Sequence, residues 1–203
     1  VDETGQQADL PGGVVRHGRG GSIPAPVTRP DFGRRPASEN DDDLRNAFRD
    51  VMASVCTPVS VITAMGDGLP YGTTVSAFAS LSMTPPMVLV SLDRASRLLT
   101  VIRETEQFGV NVLSSGQAGL AGVFATKSGT DKFAGVEWFE ETSVPRLPEA
   151  TGFLSCTATQ FVDGGDHVVV LGAVRAAEHA VRAPLTYHRR IFGTHAALSE
   201  HAG

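Results

Sequence analysis

The stretch GTTVSAFASLSMTPP, residues 72–86, runs straight into the apolar MVLV of residues 87–90 and decides how this chain is read. It crowds hydroxyl and small side chains into one run and closes on a Pro-Pro pair. A buried hydroxyl needs a hydrogen-bond partner, so a hydrophobic core has little use for so many of them. Two readings follow. Either a polar ligand lies along a strand and its following loop and supplies those partners, or the run is an exposed β-edge with a Ser/Thr-rich loop.

The rest of the chain sets the frame. Its 203 residues suit one domain with a sizeable core. A hydrophobic content of 41% and a charged content of 19% are those of a globular protein, neither disordered nor fibrous. The net charge of −5 argues against nucleic acid or an anionic membrane as partner, because both call for a basic face. No apolar segment reaches the length of a membrane span, and the N-terminus lacks the charged-then-apolar order of a secretory signal. Cys56 and Cys156, the only cysteines, sit in apolar segments without a CxxC or a histidine at ligand spacing. That indicates buried reduced thiols, no metal, and a cytoplasmic setting.

Residues 1–40 are rich in Gly, Pro and Arg and lack a sustained apolar period, so a flexible N-terminal tail is expected, with a short C-terminal tail at 196–203. The domain is expected over residues 41–195. Its first element is an amphipathic helix, since Leu44, Ala47, Phe48, Val51, Met52 and Val55 fall on one face and three aspartates occupy the first turn. That face is expected to pack on the core, with Pro58 ending the helix. Strands are expected at 59–65, 73–78, 87–92, 108–113, 153–161, 167–176 and 185–192, with helices at 96–103 and 117–125. Strands outnumber helices and several follow one another without a helical crossover. The pattern predicts a mainly β fold, an antiparallel barrel or sandwich with peripheral helices, not a doubly wound parallel sheet.

Few motifs carry chemistry alone. GDGLPYG at 66–72 has the wrong spacing for a dinucleotide fingerprint and leads into a strand, so Gly68, Leu69 and Pro70 read as a hairpin turn. GxxxxGK[ST], HExxH and GxSxG do not occur. DRASR at 93–97 places Arg94 and Arg97 around Ser96 at a helix start. Helix-start N–H groups, a hydroxyl and guanidinium groups together make a phosphate seat, although an ordinary serine cap with solvated arginines reads the same way. His167 follows a tight Gly-Gly-Asp turn and projects from a sheet rim, where an imidazole can donate a hydrogen bond or titrate near neutrality. Tyr187, His188, Arg189 and Arg190 add an aromatic ring and cations near the C-terminus.

In order and spacing these segments resemble the short-chain flavin reductase family, the small partners of two-component flavin-dependent monooxygenases. The resemblance rests on FRDVMASVCTPVSVIT, the GTTVSAFASLSMTPPMVLVSL block, FGVNVLSSGQ, the KFAGVEW loop and CTATQFVDGGDHVVVLGAV, and covers nearly all of the chain from residue 47 to 194. It implies an FMN-binding split β-barrel, an antiparallel Greek-key barrel that dimerises. It places Pro70, Tyr71, Gly72, Thr73, Thr74, Ser76 and Ala77 along the isoalloxazine and ribityl chain. Ser91, Leu92, Asp93, Arg94, Ala95, Ser96 and Arg97 fall where the family seats the flavin phosphate, and Asp131 and Lys132 on a second flavin loop. His167 matches the histidine lining the nicotinamide pocket, and 187–190 the final strand that closes over NAD(P)H.

The resemblance therefore implies an NAD(P)H-dependent flavin reductase that takes FMN or FAD, uses NADH or NADPH as hydride donor, and passes reduced flavin to a separate monooxygenase. Hydride transfer asks for stacking and electrostatics more than acid–base groups, which agrees with the lack of a triad or carboxylate pair. A flavin-binding electron carrier on the same barrel is the alternative. The GGDH turn and the arginine-rich last strand favour the enzyme.

Overall fold

The computed structural model describes residues 41–127 and 129–195; the expected tails at 1–40 and 196–203 lie outside the described residues. In chain order the elements are α1 (Asp41–Ala53), β1 (Thr57–Pro58), β2 (Ser60–Gly66), β3 (Leu69–Val75), β4 (Phe78–Met83) and β5 (Pro86–Asp93). Then come α2 (Arg97–Thr105), β6 (Gln107–Val112), α3 (Ala118–Thr126), β7 (Phe139–Glu141) and β8 (Val144–Arg146). The chain closes with β9 (Gly152–Gly164), β10 (His167–His179), β11 (Leu185–His188) and β12 (Ile191–Thr194).

Seven strands form one antiparallel sheet in the order β3-β2-β6-β9-β10-β5-β4. Its edge strands β3 and β4 do not pair with each other. The sheet curls as a split barrel, open along a seam where β3 approaches β5. The mainly β, antiparallel class expected from the strand pattern is the class observed. Among the described residues no helix is long and apolar enough to cross a membrane.

β2 shows why the sequence folds this way. Val59 and Val61 join one apolar cluster with Phe124, Phe133 and Leu185, while Ile62 and Ala64 join another with Leu92, Ile102, Phe108 and Val170. Successive side chains alternate between faces, so a strand buried on both faces reads as a continuous apolar run. The two clusters sit on opposite faces of that strand. On the face of its register partner Val61, Asn111, fully buried on β6, donates to the Thr63 hydroxyl at 3.2 Å and accepts from Leu147 N–H at 2.8 Å, which ties the segment after β8 to the barrel. A Cβ on Gly72 would stand 2.8 Å from the Phe124 ring, so the missing side chain lets β3 press against α3.

Several expectations need correction. The first hairpin turns at Asp67 and Gly68, both at positive φ, so Leu69 and Pro70 already belong to β3. The strand expected over 73–78 breaks at Ser76–Ala77, where the carbonyl of Ala77 accepts Ser91 N–H at 2.9 Å. The last strand is a hairpin, because Arg189 and Arg190 both take positive φ and turn the chain between β11 and β12. The apolar face of α1 does not pack on the core: Leu44, Phe48 and Val51 are 71%, 62% and 64% exposed. Cys56 is exposed too, whereas Cys156 is buried and burial pushes its thiol up to about 12.

Candidate functional site

Three clefts meet along β3. The first, of about 290 Å³, is lined by residues 73–77, by Ser91, Leu92 and Asp93 at the end of β5, and by Ser96 and His167. The second, of about 280 Å³, is lined by Tyr71, Gly72, Ser96, Arg97, Leu98, Lys127, Gly129 and Lys132. The third, of about 220 Å³, is lined by Val59, Thr74, Val75, Ser76, Ala125, Tyr187 and Phe192. The first two share Ser96, and the first and third share Thr74, Val75 and Ser76. β3 can serve all three because it is an edge strand whose far side has no partner strand.

The hydroxyl run divides between its two readings. Residues 73–77 line the clefts, while Ser80, Leu81 and Met83 lie on the exposed edge strand β4. Not every hydroxyl in the lining is free. Thr74 donates to the Ala121 carbonyl at 2.7 Å, so its hydroxyl proton is already committed to α3. Pro70 pairs with Met65 on β2, outside the clefts.

The second cleft is cationic. α2 starts at Arg97 with Ser96 in the cap position, yet the Ser96 hydroxyl makes no cap bond and the first turn holds no acidic residue. The first N–H groups of a helix lack internal acceptors and favour an anion. Arg97 lies over the Tyr71 ring, 5.8 Å from its centroid. Lys132 donates to the Phe124 carbonyl at 2.8 Å and to the Thr73 hydroxyl at 3.4 Å. Burial lowers its pKa. Phe133 anchors this loop by packing edge-on against Phe124 at 4.9 Å and Trp138 at 5.8 Å. Neighbouring Asp131 is exposed and stays out of the clefts; its carbonyl accepts Ala134 N–H at 3.2 Å.

The other members of the expected phosphate segment have different duties. Asp93 accepts the Ala95 N–H on its carboxylate at 2.7 Å, an Asx turn that shapes the entry to α2. The Leu92 side chain belongs to the core. Arg94 is drawn to the β9–β10 turn, where it donates to the Gly165 carbonyl and pairs with Asp163 at 2.9 Å.

His167 opens β10 directly after a two-residue turn, Gly165–Asp166, in which Gly165 sits at φ +69°. Glycine at the first central position of such a hairpin turn avoids the Cβ penalty of positive φ. The half-buried imidazole donates from Nδ1 to the Asp166 carboxylate at 2.8 Å. That hydrogen bond holds the Asp166 carboxyl below its usual range. It also leaves Nε2 as the ring nitrogen available to a ligand in the first cleft.

The C-terminal hairpin is only partly drawn in. Tyr187 packs on Phe192 with centroids 5.2 Å apart, and both line the third cleft. His188, Arg189 and Arg190 are exposed and line none of the three clefts. Sequence reasoning missed Lys127 and Phe192; two lysines flanking SGTD at 127–132 were the signal for the first. Among the described residues no carboxylate lines the second cleft; the first mixes hydroxyls and backbone with the Asp93 carboxylate and the His167 imidazole, and the third is mostly apolar. This donor set fits a long, planar, phosphate-bearing cofactor such as a flavin nucleotide.

Comparison with known proteins agrees. Residues 52–196 match the model of the flavin reductase like domain. The reductase component of 4-nitrophenol 4-monooxygenase/4-nitrocatechol 2-monooxygenase from Rhodococcus opacus is 41% identical over 146 residues, covering 72% of this chain and 78% of that protein. The NADH:riboflavin 5'-phosphate oxidoreductase of Streptomyces pristinaespiralis is 37% identical over 165 residues, covering 76% of this chain and 93% of the relative. The NADH:FAD oxidoreductase of Streptomyces globisporus C-1027, solved in complex with NAD and FAD fragments, superposes with a TM-score of 0.70 at 29% identity, covering 82% of this chain and 100% of the other. With its split barrel, its cationic helix start and this match over most of its length, the chain belongs to the flavin reductase like family.

Proposed function

We infer that residues 41–195 form an NAD(P)H-dependent flavin reductase that reduces FMN or FAD and supplies the reduced flavin to a separate monooxygenase. The observation that carries this reading is the joining of a cationic cleft and an imidazole-bearing cleft through one residue, Ser96. A bound flavin supplies the hydride-accepting chemistry. The protein binds, orients and excludes water.

Arg97, Lys127 and Lys132, with the first turn of α2, hold the phosphate; Tyr71 and the backbone of 72–77 hold the rest of the flavin. His167 Nε2 accepts from the nicotinamide carboxamide, with the tautomer set by Asp166. Tyr187 and Phe192 supply an apolar wall for the nicotinamide, and Arg189 and Arg190 reach its phosphates from the hairpin tip. NADH is the proposed donor, in keeping with the two oxidoreductases compared above.

The working unit is a homodimer that buries the apolar face of α1. An exposed row of Leu44, Phe48, Val51 and Met52 on one helix is a large apolar surface for a single chain, and a second copy presents a matching one. Free thiols at Cys56 and Cys156 suit a reducing, cytoplasmic compartment.

The test is direct. The purified chain is mixed with NADH or NADPH and with FMN or FAD in turn, and nicotinamide absorbance is followed. Oxidation of NADH that depends on added flavin is the expected result. Flavin binding without nicotinamide oxidation would leave only an electron carrier.

A further inference from the structure

Arg94 was expected in the phosphate seat, but its side chain has been taken for something else. Its Nε and Nη2 donate to the Gly165 carbonyl at 3.3 and 3.2 Å, and Nη1 pairs with the Asp163 carboxylate at 2.9 Å. Its backbone N–H donates to the Asp166 carbonyl at 2.9 Å. One residue of the β5–α2 loop therefore holds three acceptors at the β9–β10 corner, on Asp163 at the end of β9 and on Gly165 and Asp166 in the turn. The next residue is His167, whose imidazole rests on Asp166. The residue before Arg94 is Asp93, which lines the first cleft together with His167.

Fold stability does not call for this clasp. β9 and β10, thirteen residues each, already pair from His167↔Gly164 to His179↔Gly152, and β10 pairs with β5 from His167 to Ala173. The Arg94 and Asp163 side chains are 48% and 76% exposed, and exposed ion pairs add little to stability. What the clasp does fix is the position of a two-residue turn that includes a glycine, the most permissive residue, directly before the imidazole. A guanidinium fork suits this task, since it meets a carbonyl with two donors while a third reaches a carboxylate.

We propose that Arg94 is a positioning residue for nicotinamide capture: it locks the turn carrying Asp166 and His167 to the loop that opens α2, and does not bind the flavin phosphate. The proposal rests on the reductase reading above. It makes the two halves of the site one mechanical unit, so that the imidazole is preorganised whenever the α2 loop is in place.

The test uses the full chain with Arg94→Ala, in which the backbone N–H bond to Asp166 survives. The KM for NADH should rise about fivefold, with kcat and the flavin Kd each within about twofold of wild type. Arg94→Lys keeps a charge opposite Asp163 without the fork and should fall between the two. Nitrogen NMR of the imidazoles supplies a readout independent of turnover: the His167 Nδ1 signal, assigned with His167→Gln, should move in Arg94→Ala.

Wild-type NADH KM together with an unmoved His167 signal would overturn the proposal. So would a weakened flavin Kd with an unchanged KM for NADH, which would return Arg94 to the phosphate seat. Should Arg94→Ala fail to fold, Asp163→Asn loosens the same clasp from its other side and must move both readouts in the same direction. If the wild type oxidises no NADH, the reductase reading fails, while the imidazole signal still decides whether Arg94 positions His167.

Discussion

Asp93 and His167 are register partners across β5 and β10. The residue that shapes the entry to α2 and the residue proposed to meet the nicotinamide thus stand on one rung of the sheet, and both line the first cleft. β5 and β10 are neighbours and neither is an edge of the seven-stranded sheet, and their partners Val90 and Val170 are fully buried. Groups carried on such strands are held more firmly than groups on free loops. The rung sets the spacing between the two halves of the site.

That arrangement separates two substitutions. His167→Ala should raise the KM for NADH by about tenfold and leave the flavin Kd within twofold, since the imidazole is outside the cationic cleft. Arg97→Ala should weaken flavin binding by about tenfold, the scale of one charge-assisted hydrogen bond, with the KM for NADH nearly unchanged. Steady-state kinetics and flavin fluorescence quenching measure both. A crossed result, with flavin lost from the histidine variant, would show that the roles are reversed.

If Lys132 holds the flavin phosphate as proposed, flavin affinity should depend on alkaline pH. Burial lowers its pKa in the folded protein, so the cost of carrying the charge is complete below that folded value. The cost is relieved as pH rises through the folded value toward the unfolded one. Phosphate binding has the opposite preference, because the anion favours the ammonium. Affinity should therefore fall as pH rises from about 7 to about 10, and Lys132→Arg, which stays charged, should lose less. Parallel loss in both proteins would assign the titration to another group.

The hairpin tip carries stored strain. Arg189 and Arg190 adopt φ of 48° and 65°, where a side chain costs on the order of 1 kcal/mol per residue. Asn-Gly is the pair such a turn prefers. Replacing Arg189 by Asn and Arg190 by Gly should stabilise the chain by about 1 kcal/mol, a Tm rise of roughly 3 °C, read by calorimetry. The same variant should raise the KM for NADH if the arginines meet the nicotinamide phosphates; an unchanged KM would remove them from the site.

The exposed face of α1 predicts the assembly. Phe48→Glu together with Val51→Glu places two charges in the apolar row and should shift the sedimenting species from dimer to monomer. A wild-type chain that already sediments as a monomer would dismiss α1 as the contact.

Much of this is legible in the sequence alone. The β-branched run that becomes β2, the Pro-bounded run that becomes β5, and the Gly-Gly turn before His167 are local signals, each written in a few adjacent residues. They place the strands 59–65 and 87–92 to within a residue and predict an antiparallel fold, while 153–161 and 167–176 stop three residues short of β9 and β10. Where the reading slipped, the missing information was not local. The apolar period of α1 has the same form whether its face meets the core or lies exposed, so periodicity alone could not say which. The tip at Arg189 and Arg190 holds no glycine, asparagine or proline to mark a turn, and the strand reading ran through it.

The hydroxyl run at 72–86 is the clearest case of this divide. Its composition by itself determined that partners for many hydroxyls had to be found, and the resemblance it carried pointed to a flavin. Which hydroxyls remain free was decided by tertiary structure. Thr74 spends its hydroxyl on α3 and Thr73 accepts from Lys132, while Ser80 is turned out on an edge strand. Arg94 and Arg97 differ in the same way: three residues apart in one motif, they serve opposite sides of the site. Charge and spacing are properties of the chain, but the acceptor that claims a donor is brought to it by strands far apart in sequence.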